Sequence, residues 1–492
     1  MASVTAQSND PLHVSFFPFM SPSHLSPMID IARLFASHGA KATILATPQN
    51  ITCFQIILNR DQHTTTNNNN INIIDLLILD FPYSEANLPE NCENLDTLPS
   101  QKLSYNFTKA IMMLQPQAQQ LLQQHQLDAI ISDLNFPWTA EIAQNCGIPR
   151  LVFHGTCCFS LCLTSSSATC ASQYKPHATV SSDTKPFLVL GLPHPVYITM
   201  SQMPDRFFGN LGLHEFFEKF MEAERDMYGF VSNMFYEIEP EYVKQYEKLG
   251  CTDKAKHEKL VGKKVWPVGP VLLFNTIALD KVERGNRASI DKDQLLTWLD
   301  SKKPNSVLYV CFGGLCNFSK SQLLEIGDSY RDGFFPKGFE ERVRDRTLVI
   351  KGWAPQVLIL NHSAVGGFMT HCGWNSVLES VTAGVPLITW PLFAEQFYNE
   401  NFVLNRLGAG AGIGVKTGLA WGEEENIGVL VTGDRVEEVV TRLMAERTRN
   451  RVSELNKLAM VAISKGGSSY VNMGLLIEDL QNLRSDRLSK SE

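Results

Sequence analysis

The sequence has no CxxC pair, no basic run interleaved with aromatics, and no uninterrupted apolar run near the ~18 residues a membrane-spanning helix needs. Each absence closes off a class. The 11 cysteines are an odd number, and Cys157 and Cys158 are adjacent, which places them badly for bridging each other. They read as small buried thiols in a reducing compartment. A net charge of −8 without a basic patch argues against nucleic acid as the main partner. The opening MASVTAQSNDPL offers neither a basic leader region nor an apolar core, so no secretory signal is read and a cytoplasmic location is expected. The sequons at Asn50, Asn106 and Asn317 are then chance.

Several chemical signatures are missing as well. The nearest approach to a dinucleotide fingerprint, GAGAGIG from Gly408, has Ile413 where the last glycine must stand and precedes a strand. Neither a GxxxxGKS phosphate loop nor a GxSxG nucleophile elbow occurs. No histidine, cysteine or carboxylate spacing suits a metal, so neither a metal nor a cofactor is expected.

What is present is a long soluble-type chain: 492 residues, 44% hydrophobic and 19% charged, enough for two or more domains. Strand and helix patterns alternate. The strand LHVSFFPF from Leu12 leads through a turn, SPSHLSP, to the helix MIDIARLFASHG. KATILAT and, beyond an Asn-rich loop tip, IIDLLILDF are further strands. Ser100 to Gln124 reads as one long helix, and LDAIISD is a buried strand with Asp133 at its C-terminal end. TAEIAQNCG is a helix closed by Gly147, followed by the strand IPRLVFHG. Ser165 to Pro204 reads as loops, and the strand GFVSN closes the half. The boundaries expected are a first domain over 1–250, a lysine-rich linker over 251–262, a second domain over 263–465 opened by VWPVGP, and a terminal helical segment over 466–492. The second domain contains the strands SVLYVCFGG, TLVIKGW, GGFMT and AGIGV. The fold class is α/β, with two doubly wound Rossmann-like domains facing across a cleft.

The stretch from Trp353 to Gln396 organises the chemistry. GGFMTHCGWNSVLESVTAG reads as a strand, a turn and a helix starting near Asn375 and stopping at Gly384, which puts His371, Asn375 and Ser376 at a helix N-terminus suited to an anion. The motifs WAPQ, HCGWNS, LES, AGVP and FAEQ, so spaced, resemble the donor-binding box of plant UDP-sugar glycosyltransferases.

The resemblance implies the two-domain GT-B architecture, an acceptor-binding first domain, a UDP-sugar-binding second domain, and a last helix that crosses back onto the first. It implies that Trp353 stacks on uracil, that Gln356 and Glu379 hold ribose hydroxyls, and that His371, Ser376 and the helix N-terminus steady the diphosphate. Trp374, Glu395 and Gln396 would hold the hexose, with Ala354, Gly373, Asn375 and Gly314 completing the donor site. His24 would be the general base and Asp133 its partner, a pairing suited to taking a hydroxyl proton near pH 7. The UDP-sugar is a co-substrate, the sugar expected is glucose, and the chain is expected to act as a monomer. The acceptor expected is a small apolar plant metabolite carrying a hydroxyl, of flavonoid or triterpenoid type, near Phe19, Phe136 and Thr156.

The chain departs from the family pattern in three places. Ser23 stands where relatives carry glycine before the histidine, and Gly313-Gly314 stands where they carry Gly-Ser. Between about Gly327 and Phe334 a half-helix and an apolar strand are missing. Two outcomes of that gap are expected to compete: TLVIKGW shifts sideways by one strand spacing, about 4.8 Å, or a void remains that Phe334 and Phe335 fill. The rival function is then a UDP-sugar-binding protein with impaired or no catalysis.

Overall fold

Apolar strands too buried for strict alternation and helices with one apolar face build two parallel sheets, as fully covered α/β sheets require. A computed structural model describes residues 10–66, 74–174, 184–204, 212–249, 263–275, 278–327, 346–443 and 446–491. The first sheet contains β1 (His13–Phe17), β2 (Lys41–Ala46), β3 (Ile74–Ile78), β4 (Ala129–Asp133) and β5 (Arg150–Phe153). A small antiparallel pair follows, β6 (Phe187–Val189) and β7 (Val196–Ile198), and then β8 (Gly229–Ser232) and β9 (Lys264–Pro267) return to the first sheet. Its order is β3-β2-β1-β4-β5-β8-β9, with every pair parallel. The second sheet is β10 (Val307–Cys311), β11 (Val365–Thr370), β12 (Leu387–Thr389) and β13 (Gly410–Gly412), in that order and also parallel.

Several expectations need correction. SPSHLSP is no loop: the helix runs Pro22–Ser37, with Ser21 as N-cap and a proline in its first turn, where a missing N–H costs nothing. His24 and Ser23 are therefore helical, and no glycine is needed before the histidine. Ser100 to Gln124 is broken into Ser104–Met113 and Gln115–Leu122, with Pro116 opening the second piece. The region read as loops, Ser165 to Pro204, holds the later part of the helix Cys158–Tyr174 and the β6–β7 pair. VWPVGP, expected to open the second set of elements, supplies β9, the edge of the first sheet.

The largest correction concerns the gap. The segment 347–353 forms no strand, so the expected TLVIKGW strand and its sideways shift are both absent. Its last residue is tied outside the sheet: Trp353 donates its N–H to Ser289 Oγ (3.1 Å) and accepts the Ser289 N–H at its carbonyl (2.8 Å). β10 is left at the sheet edge, partly exposed along its length with Val310 38% exposed, whereas β11 is buried throughout. The gap itself, Phe334, Phe335 and the 251–262 linker lie outside the described residues.

The apolar core crosses the domain boundary. Cys158, Phe159 and Tyr242 pack in one cluster with Trp374, Tyr398 and Phe402. The last helix, Ser468–Ser491, lies on the first domain, where Met473, Leu476 and Leu480 join Val14, Phe16 and Ile31. Asp479 on it receives Lys264 Nζ (2.5 Å) and Tyr228 Oη (2.6 Å).

Candidate active site

Two strand ends and two helix starts meet at the cleft, as expected for open parallel sheets. His24 sits in the first turn of the helix after β1. Its Nδ1 lies 2.6 Å from Asp133 Oδ2, at the end of β4. Asp133 is fully buried, and its other oxygen accepts the Asn135 N–H (3.0 Å) and Asn135 Nδ2 (2.7 Å), so the carboxylate is fixed at both ends. The imidazole is 23% exposed and stands edge-on to Phe19 and Phe153. Burial alone would lower its pKa. The charge of Asp133, its hydrogen bond and the charge of Glu395 outweigh that, and His24 stands above its ordinary value.

Across the cleft, the Trp374–Ala383 helix begins at Gly373, which no side chain caps, and ends at the left-handed Gly384. Its first-turn N–H groups have no intrahelical acceptor, and the positive end of the dipole lies there. His371 precedes it, packed against Gly313 and Gly373, and burial lowers its pKa to about 4, so it is a neutral donor or acceptor at physiological pH. Two non-glycine residues with positive φ, Cys372 (68°) and Ala394 (52°), immediately precede the Gly373 turn and Glu395. Such strain persists where the surroundings over-determine a functional loop. Asn375 Nδ2 donates to the carbonyl of Ser23, tying the donor helix to the helix of His24. Its Oδ1 is buried without a partner.

Gln356 Nε2 donates to Glu379 Oε2 (2.7 Å) and Ser376 Oγ (3.1 Å), which brings three expected donor residues together. Glu395 opens the Gln396–Asn401 helix and faces His24 closely enough to raise that histidine's pKa. Burial in turn raises its own. Gln396 is 4% exposed and spends its carbonyl oxygen on the N–H groups of Leu392 (2.8 Å) and Phe393 (3.1 Å). Only its amide nitrogen is left for a sugar. Ala354 is half-buried beside Trp353. Around Gly314 there is room: an added Cβ would meet nothing closer than Asp96 Cβ at 3.4 Å.

Two expected contacts are not made by the side chains named. Trp374 is 2% exposed, and its indole N–H is donated to the carbonyl of Asn233 (2.9 Å). Its ring is a core anchor between the domains, so only its backbone can reach a sugar. Phe136 is 1% exposed among Phe17, Phe19 and Trp138 and does not line the cleft. Phe19 does pack against His24, and Thr156 carries a buried hydroxyl without a partner.

Sequence reasoning missed four residues here. Gly155 lies against the His24 ring, Gly285 lies against the Trp353 indole, and Asp96, a carboxyl that burial raises, accepts Asn286 Nδ2 (3.0 Å) opposite Gly314. Arg284 joins Glu379 Oε1 (2.7 Å) to Asp30 Oδ2 (3.0 Å). The signal available was the charged KVERGN stretch, whose Arg-Gly pair marks a turn with a cation beside it.

The family model described as UDP-glucoronosyl and UDP-glucosyl transferase matches residues 337–445. UDP-glycosyltransferase 73C25 of Barbarea vulgaris is 42% identical over 510 aligned positions, covering 98% of this chain and 99% of that one. Those positions outnumber the 492 residues here, so that relative carries residues this chain lacks. The scopoletin glucosyltransferase of Nicotiana tabacum is 40% identical, covering 96% and 99%. Among solved structures, Glycyrrhiza uralensis UGT73P12 complexed with glycyrrhetinic acid 3-O-monoglucuronide superposes with a TM-score of 0.85 at 36% identity, covering 98% of both chains.

Proposed function

The chain belongs to the plant UDP-glycosyltransferases and has their GT-B fold, and from that premise we propose that it transfers glucose, with inversion, from UDP-glucose to a hydroxyl of a small apolar plant metabolite. The observation that carries this reading is the His24–Asp133 pair at 2.6 Å, facing Glu395 across the cleft. His24 Nε2 takes the acceptor proton, while Asp133 fixes the ring and stabilises the imidazolium. The hydroxyl oxygen then attacks the anomeric carbon from the face opposite UDP. His371, Ser376 and the N-terminus of the Trp374–Ala383 helix receive the charge that develops on the departing diphosphate. Trp353 stacks on uracil, and Gln356 and Glu379 take the ribose hydroxyls.

The acceptor reading is a flavonoid or triterpenoid type; its small-metabolite class draws support from a relative named for scopoletin, and its triterpenoid form from a neighbour solved with a glycyrrhetinic acid glucuronide. Phe19 and Thr156 would meet the acceptor. The reading needs no metal or cofactor, and it places a monomer in the cytoplasm. No helix among the described residues is long and apolar enough to cross a membrane. Transfer from UDP-glucose to a panel of hydroxylated aglycones in EDTA tests the proposal. A β-glycoside supports it, and a strict metal requirement or an α-glycoside overturns it. A second reading is favoured by β10 standing at the sheet edge among the described residues: the chain binds UDP-sugar but turns over poorly, because the 347–353 segment leading to Trp353 is not paired into that sheet.

A further inference from the structure

We propose that Arg284 is a positioning residue for the donor, one that holds the ribose-binding carboxylate in register with the helix bearing His24. This rests on the donor reading given to Glu379. The Arg284 side chain is 9% exposed, yet it belongs to neither sheet, and it bridges the two domains. On one side Nη1 holds Glu379 Oε1 at 2.7 Å, on the donor helix. On the other, Nε holds Asp30 Oδ2 at 3.0 Å, on the Pro22–Ser37 helix that carries His24 in its first turn.

Both ends are anchored. Asp30 Oδ1 accepts Asn275 Nδ2 (2.9 Å), and Glu379 Oε2 accepts Gln356 Nε2 (2.7 Å). The segment carrying Arg284 is clamped before it by Asp280, paired with Arg33 and Arg60, and after it by Ser289, bonded to the Trp353 backbone. Gly285 lies directly on the Trp353 indole, which ties the base-binding ring to the same strap.

The chemistry of Glu379 makes the arrangement purposeful. An ionised carboxylate has about four acceptor positions and no donor. Arg284 and Gln356 take one on each oxygen, which fixes the carboxylate plane and leaves one lone pair on each for the two hydroxyls of a ribose. Without Arg284 the Glu379 carboxylate is held on one side only, and Asp30 keeps Asn275 (2.9 Å) and the longer Arg33 pairing (3.7 Å) but no longer reaches the donor helix. A guanidinium suits the bridge because its planar fork presents two donors to two carboxylates at once, which an ammonium cannot copy in that geometry.

The test is steady-state kinetics of the full chain carrying Arg284→Ala, Arg284→Lys or Asp30→Asn, with UDP-glucose varied at saturating acceptor and the reverse. Expected is a rise in the UDP-glucose KM of about tenfold or more for R284A, with the acceptor KM within about twofold. R284K should recover part of the loss. D30N should raise the same KM by a smaller factor, and the R284A/D30N double variant should be no worse than R284A alone, because the two act as one unit. A purely structural arginine would lower the thermal midpoint and the active fraction while leaving both KM values in place, and that result overturns the proposal. Additive effects of R284A and D30N also overturn it. Should R284A not fold, R284K and D30N carry the same readouts. UDP affinity by calorimetry separates this proposal from the reading it rests on. A native chain that binds UDP without transferring sugar fails the catalytic reading alone, and a weaker Kd in R284A still upholds the bridge. A native chain that binds no UDP overturns both.

Discussion

Gly155→Ala should displace the base while both residues of the dyad stay unmutated. Gly155 follows β5 with φ at +70°, and an added Cβ would sit 2.8 Å from His24 Cε1. Ordinary carbon contacts begin near ~3.5 Å, so the imidazole or the loop must give by roughly 0.7 Å. Misplacing reacting groups by about 1 Å can cost on the order of a hundredfold in rate, which sets the expected fall in kcat/KM at roughly 10- to 50-fold. A left-handed alanine adds a stability cost of about 1 kcal/mol. That alone lowers the thermal midpoint slightly and leaves the folded enzyme's rate unchanged. The assay is initial-rate glucoside formation at saturating UDP-glucose, with UDP affinity measured in parallel. Because Gly155 belongs to the first domain, UDP affinity should hold. If G155A keeps kcat/KM within twofold of the native chain, the ring is not confined as described and the reasoning is refuted.

Other consequences can be checked in the same system. His24 must be neutral to accept a proton, so kcat/KM should fall as pH drops through a midpoint above the ordinary 6.5, and Asp133→Asn should move that midpoint down while lowering the plateau; a midpoint unmoved in D133N would contradict the coupling. Trp374→Phe removes the indole N–H from the buried Asn233 carbonyl, so it should cost about 1–3 kcal/mol of stability and leave the preference among UDP-sugars unchanged. Urea unfolding and donor competition read the two halves. Inserting a family-type half-helix and strand after Ile326 should cover β10, raise the thermal midpoint and tighten UDP binding. No gain in either shows that the shortened sheet is harmless.

The donor helix was legible because its signals are local: the WNSV start and the left-handed Gly384 stop need no knowledge of the rest of the chain. The meeting of His24 with Asp133 was legible for a different reason, since parallel strands deliver their C-terminal ends to one side. What escaped depends on contacts between distant segments. Trp374 belongs to the HCGWNS motif, and the family resemblance alone assigns it to the sugar, yet its ring is turned inward to an acceptor 141 positions away in sequence. The Pro22 turn looked like a loop because serine and proline favour loops and helix starts alike, and only packing of Leu25, Met28 and Ile29 decides between them. TLVIK has strand composition, yet among the described residues it joins no sheet, and composition cannot report a missing neighbour. Arg284 lies in a stretch whose charges read as surface until Asp30 and Glu379 close on it.

The central claim is that His24, held by Asp133, activates the acceptor opposite a donor box that binds UDP-sugar independently of it. The most direct measurement compares the native chain with His24→Ala, following glucoside formation on the best acceptor of the panel and UDP affinity by calorimetry in the same preparations. The account predicts a β-glucoside from the native chain, a loss of at least about a hundredfold in kcat for H24A, and a UDP Kd within twofold between the two. Glucoside formation by H24A at the native rate would contradict it.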